Sequence, residues 1–79
     1  MIDLTPASLA LFKSLVEDAG NWSGTPLVEV DVHERGNLTQ LKRRGLLTTF
    51  TDRNDVFAVF TDKGRLFAEL LGYDPEVLR

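Results

Sequence analysis

With 79 residues, 43% hydrophobic and 27% charged, the chain has the composition of an ordinary soluble globular protein and room for one domain, residues 1–79. It contains no Cys, so no disulfide reinforces so small a core, and dimerisation would be one remedy. No apolar run approaches the roughly 18 residues that span a bilayer and no basic stretch precedes an apolar one at the start, so neither a membrane partner nor a secretion signal is expected, and the expected location is cytoplasmic.

The first element is a helix over residues 6 to 19. Thr5 offers a hydroxyl to an orphan amide, and Pro6 fits the first helical position because the N–H it lacks would be unpaired there. Leu4 and Leu9 can staple this start, and Leu9, Phe12, Leu15, Val16 and Ala19 recur at helical spacing up to Gly20, the expected left-handed stop. Residues 21 to 26 carry Gly, Ser, Asn and Pro and read as a loop, with Trp22 folded back onto the core rather than serving as a ligand platform. Val28, Val30 and Val32 alternate with Glu29 and Asp31, which predicts a short half-exposed strand; a helix starting at Thr25-Pro26 is the competing reading.

A second helix is expected over His33 to Arg44, with Leu38 and Leu41 inward and Gly45 as its stop. Two capping boxes compete for its start, Asp31 with Glu34 and Asn37 with Gln40. Leu46 to Thr51 and Val56 to Thr61 read as the strands of a hairpin, joined by a four-residue turn at Asp52 to Asp55. Thr61-Asp62 caps a last helix ending at Gly72, with Leu66, Phe67, Leu70 and Leu71 expected to face inward, and Asp74-Pro75 starts one further short turn.

Charge is unevenly placed within a total of −3. Up to Glu34, six acids stand against Lys13 alone, whereas Arg35 to Arg65 holds seven bases (Arg35, Lys42, Arg43, Arg44, Arg53, Lys63 and Arg65) against three acids. The tail beyond is acidic again, so a dipolar protein with one basic face is expected.

In this order the chain resembles the winged helix-turn-helix superfamily, in particular the MarR-like and PadR-like bacterial regulators. Their recognition helix ends in a Leu followed by Gly-Leu, then a wing hairpin, then a Thr-x-x-Gly helix start; Leu41, Gly45-Leu46 and Thr61 with Gly64 fall in step over about half the chain. The resemblance implies an α+β winged-helix fold, three helices with a small antiparallel sheet that includes the wing. It also implies a non-enzymatic regulator of transcription that reads duplex DNA with helix 33–44 and wing 46–61. The residues implied are Arg35, Asn37, Thr39, Gln40, Lys42 and Arg43 on the exposed face of the helix and Arg53 at the wing tip. Their chemistry suits the role, since Asn and Gln pair with adenine, Arg with guanine, and Lys or Thr hold phosphates.

One departure is that the chain between Gly20 and Glu34 is too short for a strand plus a full helix, so the helix before the recognition helix is shortened or replaced by Val28 to Val32. The run Asn21 to Val28 is similar to small proteins of actinobacterial phages and their hosts. A rival reading is an adaptor, a phage or host factor that uses the same scaffold to dock on a protein partner, for which the acidic first third would suit a basic surface. Phe50, Phe57 and Phe60 resemble the stacking residues of single-strand binders, but their strand positions serve a core. His33 stands without Cys or a second His, and no nucleophile-base pair, phosphate loop or metal-ligand spacing occurs, so no enzyme activity, metal or cofactor is expected.

Overall fold

A computed structural model describes residues 3–20, 24–29, 32 and 34–78, apart from the side chains of residues 75 and 77. Among them the elements are α1 (Pro6–Ala19), α2 (Arg35–Arg43), β1 (Leu47–Asp52), β2 (Asp55–Phe60), α3 (Asp62–Leu70) and a closing 3-10 turn (Pro75–Leu78). The architecture is α+β, three helices with a two-stranded antiparallel sheet. No helix among the described residues is long and apolar enough to cross a membrane. The expectations for Trp22, Val30, Asp31 and His33 lie outside the described residues.

α1 begins as its sequence dictates: the Thr5 hydroxyl accepts the Ser8 N–H at 3.2 Å, with Pro6 next in the first turn. It does not end at a left-handed Gly20, whose φ is −59°. The left-handed glycine is Gly24, at φ 89°, which donates its N–H to the Ala19 carbonyl at 2.9 Å. The apolar face of α1 buries Phe12, Leu15, Val16 and Ala19. Phe12 is the centre of the core, meeting Phe60 edge-on at 5.7 Å between ring centroids and Phe67 tilted at 5.2 Å.

The predicted strand over Val28 to Val32 is reduced to a single bridge between Leu27 and Phe57. Two backbone bonds hold it, Val28 N–H to Val56 O at 2.7 Å and Ala58 N–H to Pro26 O at 2.9 Å. Val28 is buried but Val32 is 68% exposed, so Val32 does not share the buried face that the alternation predicts. The described residues between α1 and α2 contain no α-helix.

In the hairpin, Leu47 pairs with Phe60, Thr49 with Ala58 and Phe50 with Phe57, and the register runs on to Asp52 opposite Asp55. The predicted four-residue turn is therefore a two-residue one. Arg53 and Asn54 both take positive φ, 52° and 70°, which a turn following the twist of its strands requires. One face, with Leu47, Ala58 and Phe60, is core. On the other, Phe50 and Phe57 stack with ring centroids 5.4 Å apart, and Phe50 is 43% exposed, which corrects its expected core role.

α3 also departs from expectation. Leu66 and Leu70 are 61% and 84% exposed, while Gly64 and Ala68 are buried and Phe67 and Leu71 half-buried. The seat is chosen by the smallest residue: a Cβ on Gly64 would lie 1.9 Å from the Leu46 carbonyl oxygen. Only the Gly64–Ala68 stripe lets the helix backbone come this close, and that turns Leu66 and Leu70 outward.

Candidate nucleic-acid interface

α2 is short, and what holds it is not local propensity. Its N-cap, Glu34, makes no side-chain capping bond; of the two predicted capping boxes, Asn37 with Gln40 falls inside the helix instead of starting it, and Asp31 of the other lies outside the described residues. Its C-terminus is closed firmly instead. Gly45, at φ 74°, donates to Lys42 O at 3.0 Å and Leu46 donates to Leu41 O at 3.1 Å, the paired bonds of a Schellman cap, with Leu41 and Leu46 buried together. The same Gly45-Leu46 unit is gripped by the start of α3. The Thr61 hydroxyl donates to Gly45 O, the Thr61 N–H donates to Leu46 O at 3.1 Å, and Gly64 rests on Leu46 while giving its N–H to the Thr61 hydroxyl at 3.0 Å. Gly45-Leu46 and Thr61-x-x-Gly64 are thus two halves of one clasp that fixes the end of α2 against the hairpin and α3.

A second tie binds α2 to the start of α1. The Thr5 N–H donates to Gln40 Oε1 at 3.1 Å, and the buried Ser8 hydroxyl reaches Asn37 Oδ1 at 3.4 Å. Asn37 and Gln40, expected on the exposed face, are accordingly half-buried and turned toward α1. Their amide oxygens are engaged there, whereas a bidentate pair with adenine uses both the oxygen and the nitrogen of the amide.

The other predicted residues of α2 do face outward. Arg35, Thr39 and Lys42 lie one above another at helical spacing with Arg43 beside them, all exposed. The charged groups of Arg35, Lys42 and Arg43 make no hydrogen bond or ion pair among the described residues. Thr39 bonds its own helix, donating to Arg35 O at 2.9 Å. Beside the stripe lies a cleft of 460 Å³ lined by Gly36, Thr39, Gln40, Arg43 and Arg44. Arg44 was absent from the predicted site although the Lys42-Arg43-Arg44 run was legible; it donates from Nε to Asp3 O at 3.2 Å, which holds its cation at the cleft.

Arg53 stands at the hairpin tip, exposed and apart from this cleft. Asp52 and Asp55 flank it, also exposed, so the tip by itself is not basic. Of the remaining bases, Arg65 pairs with Asp62 and donates to Phe60 O at 3.0 Å. Lys13 on α1 and Lys63 on α3 are exposed too, Lys63 beside Gly45 at the end of α2, so the basic surface is densest on the outer face of α2, with Arg53 a further cation on the hairpin. No protein-family model, curated protein or solved structure matches this chain.

Proposed function

We propose that this chain is a DNA-binding module of the winged-helix type, a transcriptional regulator rather than an enzyme, with α2 in the major groove and the β1–β2 hairpin as its wing. The observation that carries the reading is the stripe of Arg35, Lys42 and Arg43, with Thr39 among them, on the exposed face of a helix whose opposite face is clamped at both ends. The major groove admits one α-helix, and three cations without partners among the described residues are suited to phosphates and guanine edges. The hairpin between the second and third helices supports the wing, as does Arg53, held at a positive φ that an Arg adopts only at a cost. Asn37 and Gln40 act in this reading by setting the angle of α2 on α1, and Arg35 and Arg43 take over contact with bases.

The test is a fluorescence-anisotropy titration of labelled random-sequence duplex DNA at low and moderate salt, with Lys42→Glu/Arg43→Glu alongside. Binding that weakens with salt and is lost in the double variant is the expected result. Absence of binding at low salt, or equal binding by a double variant that still folds, overturns the proposal in favour of the adaptor.

A further inference from the structure

Beside α1 lies a larger groove of 650 Å³ with a different chemistry, reaching Glu34 and Asn37 at the start of α2. Its apolar lining, the floor, comes from the half-buried Leu11 and Leu27 and the buried Leu15. Its acidic lining, the rim, comes from Glu17 and Asp18 on α1, from Glu29, and from Glu34 at the N-cap of α2. No Lys or Arg lines it among the described residues. Glu17 is held in place by the Tyr73 hydroxyl, which donates to Oε2 at 2.6 Å.

We propose that this groove docks a basic amphipathic segment of a partner protein, its apolar side chains on Leu11, Leu15 and Leu27 and its Lys or Arg residues against the acidic rim. Charge and apolar surface have to be answered together. A purely cationic ligand would leave the leucine floor uncovered, and a purely apolar one would desolvate the carboxylates without replacing their water. A second copy of this chain does not meet the requirement with its own basic helix, because the exposed face of α2 offers Arg35, Thr39, Lys42 and Arg43 but no apolar residue for the floor. The proposal stands apart from the DNA reading, since the groove and the stripe share no cation.

The experiment is a heteronuclear NMR titration of the whole chain with a synthetic helical peptide of Leu and Lys, its leucines on one face. Two comparison peptides replace either every Leu by Ser or every Lys by Glu. The expected result is shift changes confined to α1, the residues around Leu27 and the start of α2 at Glu34 and Asn37, with affinity lowered about tenfold or more for each comparison peptide. Glu29→Lys and Ser14→Arg, both at exposed positions on the groove, should weaken binding by a similar factor, whereas Lys42→Glu/Arg43→Glu should leave it within about twofold. Shifts centred on Thr39, Lys42 and Arg43 or spread over the whole surface, equal binding of the Ser-substituted peptide, or indifference to Glu29→Lys in a protein whose spectrum shows it folded would overturn the proposal. A sedimentation profile showing that the chain alone closes the groove by self-association would also overturn it.

Discussion

Gly64 and Gly36 show how differently one residue type acts within the same fold. Gly64 touches the Leu46 backbone, so Gly64→Ala puts a methyl where the carbonyl oxygen already lies and should cost about 3 kcal/mol, or prevent folding, in urea unfolding. Gly36 sits in α2 with open space around its missing Cβ, and Gly36→Ala should instead add about 0.5–1 kcal/mol by lowering the entropy of the unfolded chain. Equal effects of the two substitutions would contradict the packing of α3 on Leu46. Tyr73, the single tyrosine, gives a direct readout of its own surroundings. Its hydrogen bond to Glu17, then burial, then the Glu17 charge push its hydroxyl above the ordinary value of 10.0. The proton is held more tightly in the folded state, so this contribution to stability is complete below pH 10.0 and disappears as the pH rises through the folded value. Ultraviolet titration should place the phenolate transition above that of the unfolded chain, and Glu17→Ala should bring it back; an unshifted transition in the unmodified protein would exclude the bond.

Within elements, the hairpin tip separates stability from binding. Arg53 occupies the first of two left-handed turn positions, for which Asn and Gly are the favoured residues. Arg53→Asn should therefore stabilise the protein by about 0.5–1 kcal/mol while weakening its hold on duplex DNA, an outcome in which the two readouts move in opposite directions. A gain in melting temperature with unchanged DNA affinity would remove the hairpin from the interface and leave α2 alone. α2 itself depends on its neighbours: with no side-chain N-cap and a glycine in its first turn, it is positioned by the Thr5–Gln40 bond at one side and by the Gly45 clasp at its end.

On the scale of the whole molecule, the segregation of charge along the chain becomes a segregation in space, with carboxylates around the α1 groove and cations on the outer face of α2. A protein of net charge −3 would meet DNA with that face first, orienting itself by its own dipole, with Arg53 on the hairpin joining the contact. If Arg35, Lys42 and Arg43 each neutralise one phosphate, log K should fall against log salt with a slope of about −2.7, or roughly 40-fold between about 50 and 200 mM. Each Lys→Glu or Arg→Glu change in the stripe should flatten that slope by about one, and a slope near zero would mean that phosphates are not what α2 contacts.

Local chemistry was enough to identify α1, the stop of α2 at Gly45, the hairpin and the Thr61 cap, because a hydroxyl before a helix, a glycine after one and two β-branched runs act through neighbours in the chain. The stripe of Arg35, Thr39, Lys42 and Arg43 was legible for the same reason, following from helical period alone. What the tertiary structure decided were choices between faces and partners. Leu66 and Leu70 carry as much apolar pattern as Phe67 and Leu71, and only the approach of Gly64 to Leu46 says which pair turns outward. Asn37 and Gln40 look like their exposed neighbours until Ser8 and Thr5, some thirty residues earlier, bond their amide oxygens. The valine alternation after residue 27 promised a strand, of which the described residues form one bridge, between Leu27 and Phe57. Period and capping are properties of a segment, whereas burial of a given face depends on what is packed against it.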